Sequence, residues 1–185
     1  TQSLPTFATY SDGYLTWAEE ANTGKIGIRK KNDGWHWLQG RKKSVGYLFG
    51  GCIEVLEMLK GTDFWPEKEF WKGRILFLET SEDKPSIDYV KYALRNYGVM
   101  GLFNRIAGLL VGRARDYSTE EKLQLEKTIL SVVREEFDNT TLPVICNVDF
   151  GHTDPQVILP LGVRMEIDPE KKQMKLLESP FSDGN

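Results

Sequence analysis

Residues 143–155, PVICNVDFGHTDP, decide how the rest of the chain is read. The apolar run 144–148 has the length and composition of a buried strand. It passes through Asp149, Phe150 and Gly151 and delivers His152 on a turn closed by Thr153, Asp154 and Pro155, which is how a strand end presents a side chain. A second stretch has the same form: residues 74–80, RILFLET, make a short apolar strand ending on Glu79 before a polar turn at 81–85. In a parallel sheet the carboxyl ends of strands face one edge, and α/β proteins build their sites there. The only other histidine, His36, lies between two tryptophans in an expected hairpin, so His152 is the stronger candidate for imidazole chemistry.

With 185 residues, 40% of them hydrophobic, the chain buries one ordinary core, so one compact domain is expected. A formal net charge of −3 argues against a nucleic-acid polymer or a membrane surface as partner. No apolar run approaches a membrane span. Cys52 and Cys146 sit inside apolar segments, as small buried hydrophobes do, and point to a reduced, cytoplasmic chain. Two cysteines and two histidines lack the paired spacings of a zinc site, so no metal or other cofactor is expected.

Residues 1–22 are polar and turn-rich, with Phe7, Tyr10, Tyr14 and Trp17, and read as a packed interdomain connector. Two strand-like runs, 25–31 and 34–39, flank Asn32-Asp33-Gly34, the usual signal of a tight hairpin. Bases and aromatics interleave there: Arg29, Lys30 and Lys31, then Trp35, His36 and Trp37, then Arg41, Lys42 and Lys43. This pattern suits a solvated hairpin with one tryptophan face packed down, or a loop that stacks on a ring and meets a phosphate. A strand at 45–49 runs through Gly50-Gly51 into a helix at 52–60; the glycines suit either an anion cradle or close backbone packing. A helix follows at 86–97, with Gly98 placed to end it. Next come a strand at 105–112 and a helix from the capping box Ser118-x-x-Glu121 to about residue 137. Short strands at 157–159, 163–168 and 175–177 close the chain before a loose tail at 179–185. The fold class is α/β, a mixed sheet with about three helices and a β-rich C-terminal end.

Taken in order, Gly50-Gly51, residues 59–62 (LKGT), 75–79 (ILFLE) with Pro85 behind, 109–112 (LLVG), 149–152 (DFGH) and 159–162 (LPLG) resemble the carboxy-terminal half of the LD-carboxypeptidases. This serine peptidase family includes murein tetrapeptide carboxypeptidases and microcin C self-immunity peptidases. GWHWLQG, FWPE, LETSED and LVGRARDYS lean toward the microcin branch. The resemblance implies a swivelling β/β/α domain at 23–178 after a connector at 1–22, and a homodimer of the full-length protein. It also implies a Ser-His-Glu triad in which Glu79 and His152 match the family's glutamate and histidine. The serine and oxyanion hole belong to an amino-terminal domain that would be the partner of this one. Ser11, in Tyr10-Ser11-Asp12-Gly13, lacks the preceding strand and glycine of a nucleophile turn.

The function expected is therefore the base-and-orienter half of a serine carboxypeptidase or amidase, inactive alone. A peptidyl- or aminoacyl-nucleotide substrate would draw on Trp35 and Trp37 as ring partners; a murein LD-tetrapeptide is the alternative. A binding domain with no chemistry of its own is a further reading. A cysteine hydrolase using Cys146 is a poor one, because a thiol in mid-strand among apolar neighbours stays protonated.

Overall fold

The structure, a computed structural model, describes residues 1–13, 15, 16 and 18–181. Tyr14 and Trp17 of the connector and the last four residues of the expected tail lie outside the described residues. The strands are β1 (Gln2–Ser3), β2 (Thr9–Ser11), β3 (Arg29–Lys31), β4 (His36–Gln39), β5 (Ser44–Cys52), β6 (Arg74–Glu79), β7 (Gly108–Gly112), β8 (Val144–Val148), β9 (Arg164–Asp168) and β10 (Gln173–Leu176). The α-helices are α1 (Ile53–Leu59), α2 (Ile87–Val99) and α3 (Thr119–Leu130), the last continued by a π-helical turn, Ser131–Glu136.

Eight strands form one mixed sheet in the order β1-β10-β9-β5-β6-β7-β8-β4, and β2 pairs with β3 apart from it. The four central strands, β5 to β8, are parallel and are linked in sequence by α1, α2 and α3. Right-handed crossovers between strands added in sequence place all three helices on one face. Strand alternation divides the core accordingly. Leu76, Leu78, Leu109, Val111, Val144 and Cys146 pack with the helices. Ile75, Phe77, Leu110 and Ile145 turn the other way, onto Met165, Ile167 and Met174 of the antiparallel strands.

Both expected helix starts are present: Ser86 caps α2 by accepting from Tyr89 N–H, and Ser118 with Glu121 closes the capping box of α3. Gly98 does not end α2. It is a buried helical residue whose missing Cβ makes room for the Phe137 ring. Of the two glycines at the end of β5, Gly50 lies so close to the Phe77 carbonyl that a Cβ would clash, so close packing accounts for it. Residues 157–159 are not a strand; they follow Pro155 and precede Pro160, with Val157 N–H donating to the Asp149 carbonyl at 2.6 Å.

The hairpin expected at 25–39 does not form. β3 pairs with β2 and β4 with β8, so the two runs belong to different sheets. The Asn-Asp-Gly turn signal is overridden because the Asn32 side chain is buried, where it donates to the Phe7 carbonyl and Asp149 and accepts from Gly34 N–H.

Candidate active site

The strands β5 to β8 end at Cys52, Glu79, Gly112 and Val148 along one sheet edge, with Cys52 beside Glu79 and Gly112 beside Val148 in register. Glu79 has the parity of Ile75 and Phe77, so it lies on the face away from the helices and is 9% exposed. β8 reaches the same face by an irregularity. Asn147 adopts φ +55°, the pairing with β7 shifts register there, and Val148 falls on the same side as Ile145. A bulge of this kind re-aims the end of a strand. The backbone then turns through Gly151, at φ +104°, where a Cβ would lie 2.9 Å from Glu79 Oε2. Only glycine permits both that conformation and that approach.

The outcome is a contact between two side chains 73 residues apart: His152 Nδ1 lies 2.6 Å from Glu79 Oε2. The carboxylate is nearly enclosed and the imidazole is one-third exposed. Burial raises the Glu79 pKa above its ordinary value, opposed by the hydrogen bond from His152. The other ring nitrogen, Nε2, lies 2.9 Å from the exposed carboxylate of Glu82. The turn between the two glutamates is anchored from α1, where Glu54 accepts from Ser81 Oγ at 2.6 Å and from its N–H at 3.2 Å.

Behind His152 lies a buried polar network that sequence reasoning missed. Arg113, directly after β7, forms an ion pair with Asp149 in which neither side chain is exposed. Asp149 also accepts from Trp35 Nε1–H at 2.8 Å and from Asn32 at 3.2 Å. An arginine after an apolar strand usually means a solvated strand end. Asp149, directly after the apolar run 144–148, was the available signal.

The remaining candidates fall elsewhere. Trp35 and Trp37 lean on the sheet face opposite the helices, their rings 6.4 Å apart, and Trp35 spends its N–H on Asp149. That burial supports a packing role for both and leaves ring binding a proposal. His36, between them in sequence, points the opposite way: Nδ1 lies 2.5 Å from Glu126 of α3 and Nε2 3.1 Å from Asp33. It lines a cavity of about 610 Å³ with Lys30, Lys122 and Tyr117. Ser11 is buried, with its hydroxyl on the Gly13 carbonyl at 3.4 Å. Burial drives the Cys146 thiol well above its ordinary pKa and pushes Cys52 up to about 11, so neither is a nucleophile at neutral pH. Among the described residues no group of acids, histidines and cysteines could hold a metal ion, and no helix is long and apolar enough to cross a membrane.

The family model described as LD-carboxypeptidase C-terminal domain matches residues 45–167. The microcin C7 self-immunity protein MccF of Escherichia coli is 26% identical over 98% of this chain and 49% of its own length. A structure of MccF in complex with glutamyl sulfamoyl guanosine superimposes with a TM-score of 0.82 at 25% identity, covering 98% of this chain and 51% of that one. An MccF-like protein from Streptococcus pneumoniae, in complex with AMP, gives 0.78 at 25% identity, over 95% and 53% of the two chains. The chain thus spans about half the length of these relatives.

Proposed function

The chain belongs to the LD-carboxypeptidase C-terminal domain family, and from that premise we propose that it supplies the histidine and glutamate of a Ser-His-Glu triad whose serine stands in an amino-terminal domain. The observation that carries this reading is the 2.6 Å contact between His152 Nδ1 and Glu79 Oε2 at the common strand edge. A serine hydroxyl is a weak nucleophile until an imidazole takes its proton. With Glu79 accepting the Nδ1–H, His152 presents Nε2 as the base. As the serine oxygen bonds to the acyl carbon, Nε2 takes the hydroxyl proton and Glu79 stabilises the imidazolium. The same proton then passes to the leaving group, and water releases the acyl-enzyme by the reverse sequence. Glu82, exposed on a turn, would give up its contact with Nε2 when the serine arrives.

The proposed substrate is a peptidyl- or aminoacyl-nucleotide of the microcin C type, cleaved in the cytoplasm by a homodimeric full-length protein as self-protection. Support for that class comes from the relatives, whose structures hold aminoacyl sulfamoyl nucleosides or AMP. The test is hydrolysis by the full-length protein of an aminoacyl-nucleotide carrying a scissile bond, against a murein LD-tetrapeptide. Faster turnover of the nucleotide is expected, and this chain alone should turn over neither. Preference for the tetrapeptide would move the protein to the peptidoglycan branch, and turnover by this chain alone would place the nucleophile within it.

A further inference from the structure

We propose that Arg113 is a positioning residue for His152, holding the turn that carries the imidazole at the distance Glu79 requires. The proposal rests on the reading of His152 as the general base. The stretch from Asp149 to Leu159 has no regular ladder beyond one isolated bridge, so something other than a sheet must fix it. Arg113 reaches both sides of His152 at once. Its backbone N–H donates to the Val148 carbonyl at 2.9 Å. In the guanidinium, Nε donates to Asn147 Oδ1 at 3.2 Å, Nη1 to Thr153 Oγ1 at 3.2 Å, and Nη2 to Asp149. The Tyr10 ring covers the guanidinium face at 4.4 Å. On the far side of the turn, Ser11 and Asp154 exchange backbone hydrogen bonds at 2.7 and 3.0 Å.

Three features separate this arrangement from ordinary stabilisation. A buried ion pair is weak evidence of net stability, since desolvation offsets most of the attraction. A planar fork with several fixed donors is suited to fixing geometry, which a lysine cannot reproduce. The groups it binds, residues 147, 149 and 153, bracket His152, while Glu79 is placed by β6, of which it is the last residue. Arg113 therefore sets the position of one member of the pair and leaves the other alone.

The test uses the full-length protein with Arg113→Met, Arg113→Lys and Thr153→Val, with two readouts. One is the split between kcat and KM. The other is the downfield proton resonance of His152 Nδ1–H in its bond to Glu79, assigned by its loss in Glu79→Gln. Arg113→Met should lower kcat by about 10²-fold, the scale of an ångström-sized misplacement, with KM little changed and the resonance broadened or lost. Arg113→Lys keeps the charge and loses the fork, so it should recover thermal stability but neither rate nor resonance. Thr153→Val cuts only the link next to His152 and should lower kcat by roughly 10-fold; it and Arg113→Lys decide the matter if Arg113→Met does not fold. A folded Arg113→Lys with full kcat overturns the proposal, as does a rate loss with an intact resonance. If the wild type proves to have no hydrolase activity, the functional reading fails, and the resonance alone then decides: its loss in Arg113→Lys sustains the positioning role, and its persistence overturns it.

Discussion

The two histidines of this chain occupy sites that look alike in a distance table. His152 has one ring nitrogen 2.6 Å from Glu79 and the other 2.9 Å from Glu82; His36 has one 2.5 Å from Glu126 and the other 3.1 Å from Asp33. They differ in what holds the imidazole and its carboxylate. His36 sits on β4, the last strand of the sheet, and meets a glutamate from the side of α3, so the pair ties a strand to a helix. His152 stands past the end of β8 on an irregular turn, and its glutamate ends the neighbouring parallel strand but one. An imidazole–carboxylate contact is therefore not a site by itself. A pair becomes a candidate when both members come from strand ends at the sheet edge, where a partner domain or substrate can approach.

That comparison is sharpest in activity. In the full-length protein His152→Ala should remove activity by about 10³-fold or more, and Glu79→Ala by a similar factor. His36→Ala should leave kcat within a few-fold. Measuring kcat/KM for the three variants on one aminoacyl-nucleotide tests this directly; equal losses for the two histidines would erase the distinction drawn here.

Stability probes the packing behind His152. Trp35→Phe, which removes the indole N–H from Asp149 behind His152, should cost about 1–3 kcal/mol, the penalty for a buried acceptor losing a partner. Denaturant midpoints measure it, and kinetics on two substrates add a second answer. Equal loss on nucleotide and tetrapeptide fits packing, whereas a loss of about 1–3 kcal/mol confined to the nucleotide would establish ring stacking.

The pH dependence separates the pairs by sign. Hydrogen bonding to Glu126 raises the His36 pKa, so this pair's stabilisation is fully present below the unfolded-state histidine pKa of about 6.5 and is lost as pH rises through the folded value. The midpoint difference between wild type and His36→Gln should therefore shrink from pH 6 to pH 9. Glu79 also has a raised pKa, because burial disfavours its charge. Its contribution is present below the unfolded-state carboxylate range and is lost as pH rises through the folded value. Glu79→Gln should accordingly be inactive yet gain stability relative to wild type as pH rises from 4 to 7; a relative loss over that range would mean His152 outweighs burial. A small effect is expected at Glu82, whose side chain is 57% exposed. Glu82→Ala should change kcat by less than about 10-fold, in line with the modest worth of exposed ion pairs.

Much of this was legible in residue order. The apolar strands at 74–79 and 144–148, the capping box at Ser118 and the two ionisable groups at strand ends are local patterns, and local patterns reflect backbone propensity and the periodicity of burial. Asn32-Asp33-Gly34 is a turn signal of equal strength, yet it failed. Its flanking runs found better partners in β2 and β8, and the Asn32 side chain was drawn into the buried polar network. Gly98 was likewise read as a helix end, whereas Phe137, distant in sequence, places it; at Gly50, where the sequence allowed an anion cradle or close packing, Phe77 decides for packing.

The sequence by itself determined the class of fold, the alternation of the central strands β5 to β8 with their three helices, and the two residues at the sheet edge, because each of these is encoded within a dozen neighbouring residues. Only the tertiary structure decided that Asn147 would bulge β8 toward Glu79, that Arg113 and Asp149 would be buried together behind His152, and that the two tryptophans would lean on the core. The physical reason is common to all three. A left-handed strand residue, a desolvated ion pair and a half-buried indole are each unfavourable or indifferent alone, and become stable only through partners that the fold brings from 30 to more than 110 residues away.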